Sequence, residues 1–248
     1  MIASDFIIDL SIVRDRIPSP DVYPFNLPFV DQLDRLKIDP KVTLFVGENG
    51  TGKSTLLEAI AVAMGFNAEG GSRNFQFSTH ESHSELHECL RIAKGFRRPR
   101  DGYFLRAESF FNVATQVEQL GVEDGYGGRS LHQQSHGESF MTLLNERCRG
   151  LGLYFLDEPE AALSPQRQLA AMKRMHELVK LRSQFIIATH SPILMAYPGA
   201  LIYQFSSEGV RPVEYRETEH FKVMHEFMQG PEAMLNAMLP RSPGAGFP

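Results

Sequence analysis

A glycine-rich segment, GENGTGKST, limits the folds open to this chain more than any other part of the sequence. It covers residues 47–55, follows the apolar run 41–46 and leads into a helical pattern over 53–64. Its glycines let the backbone curl with positive φ and no Cβ in the way. Its amide groups then point inward, and the helix N-terminus adds partial positive charge. The segment therefore predicts a phosphate-binding loop between a buried strand and a buried helix.

Each part of this loop has an expected role in binding a nucleoside triphosphate. Lys53 is expected to reach the β- and γ-phosphates, and the Ser54 hydroxyl to ligate Mg²⁺. The other candidate binding residues of the loop are Gly47, Glu48, Asn49, Gly50, Thr51, Gly52 and Thr55. The predicted cofactors are therefore ATP and Mg²⁺.

An acidic pair, Asp157 and Glu158, follows the apolar run 152–156. Ligands of open α/β sheets bind at the carboxyl ends of the strands, which is where this pair would lie. Asp157 is expected to hold Mg²⁺, directly or through water, and Glu158 to orient and polarise an attacking water. Alone, such a pair is more often a solvated turn. The phosphate-binding loop favours the functional interpretation.

Together these motifs resemble the ATP-binding-cassette (ABC) family of P-loop ATPases. The apolar run 152–156 with Asp157 resembles the Walker B strand of that family. A Glu-Pro pair directly after this strand, here Glu158-Pro159, is a mark of the class. Residues 162–165 (ALSP) lie where the family has its D-loop, whose last position is typically acidic in transporters. His190 follows the next apolar strand, where the family's switch histidine contacts the γ-phosphate. The resemblance implies catalytic roles for Glu158, His190 and Lys53.

The segment 135–139 (SHGES) resembles the signature motif of the same family. Ser135 and Gly137 keep the expected residue types, whereas other positions depart from the common L-S-G-G-Q form. A second interpretation is a helix cap, because Ser135 and Glu138 fit an S-x-x-E capping box. Both interpretations can hold. In the family, this motif binds nucleotide held by a second subunit, so the resemblance implies an ATP-dependent homodimer that sandwiches ATP.

Two further elements of the family have several candidates each. The glutamine loop falls either at Gln76 or, as a variant without glutamine, at Arg106 and Glu108. The aromatic side chain that stacks on adenine has three candidates, each of which is as readily a core residue: Tyr23, Phe25 and Phe29. The sequence leaves both assignments open.

The order of the predicted elements favours the α/β class with a mostly parallel sheet. Strands are predicted at 5–13, 41–46, 103–106, 152–156, 184–189 and 200–205. Helices are predicted at 53–64, 84–94, 139–149, 165–181 and, as a C-terminal tail, about 219–239. The resemblance implies one ABC-type domain over 1–248, with an N-terminal antiparallel β subdomain and a helical insertion at about 78–145.

Composition restricts location and partners. The N-terminus lacks the basic region of a signal peptide, and no run approaches about 18 apolar residues, so a cytoplasmic protein without direct membrane insertion is expected. Cys89 and Cys148 have no metal-ligand spacing and indicate a reducing compartment. The net charge of −5 does not support nucleic-acid binding. The basic run 94–100 is expected to be a solvated loop.

Three functions remain for an ATPase of this kind. The first is a soluble switch of the non-transport branch, related to DNA-repair and chromosome-maintenance ATPases, which the run 188–192 (ATHSP) resembles. The second is the ATP-binding subunit of a membrane transporter. The third is a regulator that hydrolyses ATP poorly, against which the intact Glu158 argues. The sequence does not identify the protein partner.

Overall fold

The computed structural model describes residues 6–72, 84–106 and 135–239. The strands are β1 (Ile7–Ile12), β2 (Leu36–Lys37), β3 (Val42–Gly47), β4 (Gly71–Ser72), β5 (Leu90–Lys94), β6 (Asp101–Arg106), β7 (Gly152–Asp157), β8 (Gln184–Ala188), β9 (Leu201–Ser206) and β10 (Gly209–Val213). The α-helices are α1 (Pro28–Gln32), α2 (Lys53–Ala63), α3 (His136–Thr142), α4 (Pro165–Lys180), α5 (Pro192–Met195), α6 (Glu219–Gln229) and α7 (Pro231–Met238). Short 3₁₀ turns cover Arg14–Arg16, Glu85–Cys89, Pro159–Ala162 and Tyr215–Glu217, and a π-helical turn, Leu143–Arg147, continues α3.

The strands form two sheets. The larger has seven strands in the order β10-β9-β3-β8-β7-β6-β4. Its five inner strands, from β9 to β6, are parallel to one another, and the two edge strands are antiparallel. The smaller sheet is antiparallel, with the order β2-β1-β5. The α/β class and the N-terminal antiparallel subdomain are thus confirmed.

The central strands are buried on both faces. Every residue of β3, β7 and β8 is buried, as expected for parallel strands covered by helices on each side. On one face α2 contributes Leu56, Leu57 and Ile60 to the core shared with the small sheet. On the other face α3 and α4 contribute Phe140 and Leu178 to a second cluster. Covered in this way, the sheet is a rigid base for the loops at its edge.

A buried glutamine, Gln184, fastens the N-terminal segment to the large sheet. Its side-chain oxygen accepts hydrogen bonds from the backbone N–H groups of Phe6 (3.1 Å) and Ile7 (3.0 Å). Its amide donates to the carbonyls of Ile7 (2.8 Å) and Asp39 (2.9 Å). Gln184 thus uses both the oxygen and the nitrogen of its side-chain amide. It satisfies backbone groups of two segments, at residues 6–7 and at Asp39, that do not pair with β8 in the sheet.

The helix predicted at 84–94 is wrong. A 3₁₀ turn at Glu85–Cys89 leads instead into β5, where Leu90 and Ile92 pair with β1. Leu86 and Leu90 have the four-residue spacing of a helix face, but pairing with β1 outweighs this local pattern. Strand β10 was not predicted. It contains Pro212, which is tolerated there because the strand lies at the edge of the sheet.

Other boundaries differ from the prediction in smaller ways. The C-terminal tail is helical but divided at Gly230 into α6 and α7. The predicted helical insertion at 78–145 contains β5 and β6 in its described first part, and a helical segment from 136 onward. Residues 78–83 and 107–134 of that insertion, which include Glu108, lie outside the described residues, as does Gln76 before it. The basic run 94–100 connects β5 to β6, as expected.

We predict that Gln184→Leu lowers the free energy of unfolding by about 3 kcal/mol or more, because several buried backbone groups each lose a partner. Equilibrium unfolding in urea measures the change. A matched control is Gln204→Leu, at another buried glutamine of the same sheet. Within the described ranges the side-chain oxygen of Gln204 has no hydrogen-bond partner, so this variant is expected to cost little. Equal losses in the two variants would contradict the anchoring role of Gln184.

Candidate nucleotide-binding site

The register of three parallel strands brings the candidate loops together. Ala188 of β8 pairs with Phe45 of β3 on one side and with Asp157 of β7 on the other. The phosphate loop after β3, the acidic pair ending β7 and His190 after β8 therefore leave the sheet at the same edge. This is the carboxyl edge, where open α/β sheets bind ligands.

The phosphate loop has the backbone conformation that its glycines predict. Gly47 and Gly50 both have positive φ, at 138° and 78°. A Cβ on Gly47 would lie 2.2 Å from the carbonyl oxygen of Phe205, on the neighbouring strand β9. A Cβ on Gly50 would meet nothing within 4 Å. Gly47 is thus required by packing as well as by conformation, whereas Gly50 is required by conformation alone.

Lys53, the first residue of α2, is buried at the centre of this edge. Its ammonium donates a hydrogen bond to the carbonyl oxygen of Glu48 at 2.8 Å. Burial lowers the pKa of Lys53, and the nearby carboxylates of Glu158 and Asp157 only partly oppose that shift. A desolvated ammonium in a concave loop of backbone amides is suited to binding an anion such as a phosphate.

Ser54 and Asp157 supply a pair of oxygen ligands. The Ser54 hydroxyl donates a hydrogen bond to Asp157 Oδ1 at 2.7 Å, which joins α2 to the end of β7. A hydroxyl and a carboxylate oxygen are the hard ligands that Mg²⁺ prefers. The donor set therefore fits the predicted magnesium ion.

Arg106, at the end of β6, lies beside the same carboxylate. Its Nε is 3.7 Å from Asp157 Oδ2, and its terminal nitrogen pairs with Glu58 of α2 at 2.5 Å. Of the residues predicted for the glutamine loop, Arg106 is the one within the described ranges, and it lies at the edge of the site.

Glu158 has an unusual backbone conformation. Its φ of 48° and ψ of 51° fall in the left-handed region, which is strained for a residue with a Cβ. Its N–H donates to the carbonyl oxygen of Ala188 at 2.9 Å, which fixes this turn against β8. Its Oε1 lies 3.5 Å from His190 Nε2. The geometry thus brings two of the three predicted catalytic side chains together, Glu158 and His190.

Glu160 is a site residue that the sequence analysis missed. Its carboxylate accepts hydrogen bonds from the His190 backbone N–H at 2.5 Å and from the Thr189 hydroxyl at 2.8 Å. Burial raises the pKa of Glu160, although these hydrogen bonds oppose the shift. It holds the loop after β8 against the turn after β7. The only signal for it was a second glutamate two positions after Glu158.

Ser135 is the N-cap of α3 and Gly137 lies in its first turn, and neither residue lines the cavity over the phosphate loop. Ser135 forms the predicted capping box: its hydroxyl accepts from the Glu138 N–H, and the Glu138 carboxylate accepts from the Ser135 N–H. Arg167 of α4 donates to the Ser135 hydroxyl at 3.2 Å, and a Cβ on Gly137 would lie 2.8 Å from the Ala162 carbonyl oxygen. The capping interpretation is confirmed. The contact predicted for these two residues, with nucleotide held by a second subunit, stays a prediction.

A cavity of about 170 Å³ lies over the phosphate loop. Its lining consists of Tyr23, Leu27, Asn49, Gly50, Gly52, Lys53, Ser54, Thr55 and Glu158. Pockets that enclose a small ligand have volumes of roughly 300–1,000 Å³. This cavity is smaller, so it would not enclose a nucleotide.

Tyr23 is the remaining candidate for stacking on adenine. It is 61% exposed at the mouth of the cavity, with its hydroxyl 3.1 Å from the Thr55 hydroxyl. Phe25 and Phe29 are buried in the core, so for these two the core interpretation is confirmed.

Two family models and a curated relative match parts of this chain. Residues 25–143 match a family model described as an AAA domain. Residues 122–196 match a second one, described as an AAA domain, putative AbiEii toxin, Type IV TA system. ABC transporter G family member STR2 from Medicago truncatula is 26% identical over 202 residues, or 68% of this chain. The chain spans only 27% of the length of that relative.

Solved structures show the same fold. cbiO1 from Clostridium perfringens, part of the ABC transporter complex cbiONQ, superposes with a TM-score of 0.50 and 16% identity, covering 95% of this chain and 100% of that chain. An ATP-binding subunit of an ABC transporter gives a TM-score of 0.50 and 15% identity, covering 90% and 93%. The chain therefore has the fold of these ATP-binding-cassette proteins. No described helix is long and apolar enough to cross a membrane.

The two glycines of the loop give a test of its packing. We predict that Gly50→Ala costs about 1 kcal/mol of stability, the price of a positive φ alone. Gly47→Ala is expected to cost about 3 kcal/mol, because its Cβ also collides with the β9 backbone. Thermal and urea unfolding of the two variants check this order. If Gly47→Ala were as stable as Gly50→Ala, the close approach of β9 to the loop would be wrong.

Proposed function

We propose that this protein binds and hydrolyses Mg-ATP, and that it does so as a dimer in which two copies enclose the nucleotides. The observation that carries the proposal is the grouping of Lys53, the Ser54–Asp157 pair and the Glu158–His190 pair around one cavity, which Lys53, Ser54 and Glu158 line. These groups offer a cation for phosphates, oxygen ligands for a metal and a base beside an imidazole.

Each side chain has a role in this mechanism. Lys53 and the loop amides bind the β- and γ-phosphates, while Ser54 and Asp157 hold Mg²⁺, which supplies charge neutralisation on the phosphate oxygens when bound. Glu158 accepts a hydrogen bond from the attacking water and so orients it. The His190 Nε2–H, beside Glu158, donates to the γ-phosphate.

The small size of the cavity over the phosphate loop supports the dimer, because one chain would leave a bound nucleotide partly uncovered. Ser135 and Gly137 lie outside the cavity of their own chain, at the N-terminus of a capped helix whose partial positive charge favours an anion. A second copy placed head to tail would bring this helix start to the exposed side of the nucleotide. The cavity would then be closed, and water would be excluded except at Glu158.

We propose that ATP hydrolysis operates a soluble switch rather than a membrane transporter. The run 188–192 supports the non-transport branch, and both matching family models are AAA domains. The alternative is an ATP-binding subunit of a transporter, which the names of the plant relative and of cbiO1 favour. Co-purification of the tagged protein from its native cells separates the two, because only a transporter subunit would bring down a membrane-spanning partner.

Lys53→Ala is predicted to lower ATP turnover by about 10²-fold or more, because a positioned charge on the phosphates is lost. Steady-state phosphate release and calorimetric titration with Mg-ATP measure the effect. Lys41→Ala is the matched control, since Lys41 is exposed just before β3. Unchanged turnover in Lys53→Ala would refute the assignment of the phosphate site.

Glu158→Gln is predicted to form a stable dimer with Mg-ATP, because the amide keeps the shape of the side chain but no longer activates water. Light scattering with and without Mg-ATP gives the mass directly. Adding Lys53→Ala to this variant is expected to abolish the shift. A mass that stays at one chain at high protein and Mg-ATP concentration would contradict the nucleotide-sandwich dimer.

A further inference from the structure

A second histidine, His220, lies behind His190. It is the second residue of α6, and its Nε2 is 3.2 Å from His190 Nδ1, a hydrogen-bonding distance. The other ring nitrogen of His190, Nε2, faces Glu158 Oε1 at 3.5 Å. The three side chains thus form a row, from the carboxylate in the cavity through His190 to the C-terminal helix.

The surroundings decide which nitrogen of each ring carries the proton. In the first arrangement His190 carries its proton on Nδ1 and donates it to His220 Nε2. His190 Nε2 then has no proton and faces the Glu158 carboxylate. A neutral His220 must in that case carry its own proton on the buried Nδ1. Among the described residues, His220 Nδ1 has no hydrogen-bond partner, so this arrangement strands a buried donor. If His220 donates from Nε2 instead, His190 keeps its proton on Nε2 and presents it toward Glu158. In this second arrangement His220 Nδ1 is an acceptor without a partner, and His190 Nε2, which likewise has no hydrogen-bond partner among the described residues, presents its N–H to the Glu158 carboxylate at 3.5 Å. The second arrangement is favoured because an N–H rather than a lone pair faces the carboxylate.

The surroundings of His220 favour the neutral form of its ring. Burial lowers the pKa of both histidines, and the positive charge of Lys53 adds to this effect. His220 also lies in the first turn of α6, where the partial positive charge of the helix disfavours an imidazolium. A neutral ring whose Nε2 is protonated donates to His190 without adding charge to the site.

The start of α6 is fixed in place by its cap. The buried Thr218 side chain accepts from the Phe221 N–H at 3.3 Å and donates to the Tyr215 carbonyl oxygen at 2.8 Å. The ring of Phe221 packs edge-on against that of Tyr215. His220 lies between the cap and this aromatic contact, so the backbone that carries it is held on both sides.

We propose that His220 is a positioning residue that holds His190 in the Nε2–H tautomer, with its donor directed into the nucleotide site. The catalytic consequence rests on the proposed function, since it assumes that His190 donates to the γ-phosphate. The tautomer itself is a property of the nucleotide-free protein. It can therefore be measured whether or not the protein hydrolyses ATP.

The direct test is long-range ¹H–¹⁵N correlation NMR of the nucleotide-free protein. His190→Gln identifies the His190 signals among the nine histidines of the chain. In the wild type we expect His190 to be in the Nε2–H form. His220→Leu removes the donor and is expected to shift His190 toward a mixture of tautomers. His220→Gln keeps an N–H donor near the position of Nε2 and is expected to restore the wild-type form.

Kinetics provide the second readout. His220→Leu is expected to lower kcat about 10-fold or more with KM nearly unchanged, as for other residues that orient a functional imidazole. His220→Gln is expected to recover most of kcat. His220→Asn is a shorter amide that falls short of His190 Nδ1, and it is expected to behave like His220→Leu. Should His220→Leu fail to fold, the Gln and Asn pair still makes the comparison.

Either of two results would overturn the proposal. One is a His190 in the wild type that is protonated on Nδ1, or whose tautomer does not change in His220→Leu and His220→Asn. The other, provided that the wild type hydrolyses ATP, is equal kcat in the Gln and Asn variants. If no variant or wild type hydrolyses ATP while the tautomer responds as expected, the proposed function fails and the role of His220 stands.

Discussion

The register of β8 between β3 and β7 is the constraint on which the site depends. Ala188 pairs with Phe45 and with Asp157, and its carbonyl oxygen accepts the Glu158 N–H. Because the three strands are parallel, one register sets the height of every loop at this edge. A slip of β8 by one residue would turn its side chains to the opposite faces. It would also move His190 away from Glu158, because the Glu158 N–H is bonded to β8 two residues before His190.

The charges at this edge are arranged for a ligand that carries negative charge and a metal. Burial lowers the pKa of Lys53 even though Asp157 and Glu158 lie nearby. A bound triphosphate would raise the lowered pKa of Lys53, but its negative charge would repel the carboxylates of Asp157 and Glu158. A divalent cation between Ser54 and Asp157 offsets that repulsion. Under the proposed function, nucleotide and metal are therefore expected to bind cooperatively.

The sequence predicted the parts of the site that depend on local chemistry. Gly47, Lys53 and Asp157 could be identified because a loop, a helix start and a strand end each have a residue pattern. What the sequence missed depends on pairing between distant segments. Strand β5 was predicted as a helix because its partner β1 lies about 80 residues earlier in the chain. Glu160 and His220 were missed for the same reason, since each acts through a contact with His190.

The contact of His220 with His190 also concerns the C-terminal helices. Helix α6 has no buried residue, so little apolar area holds it to the core. Its attachment depends on the Thr218 cap, on the Phe221 contact and on the hydrogen bond to His190. An interaction that orients His190 must stabilise the start of α6 by the same free energy, because coupling between two groups is reciprocal. A nucleotide that fixes His190 would for this reason also strengthen the attachment of α6.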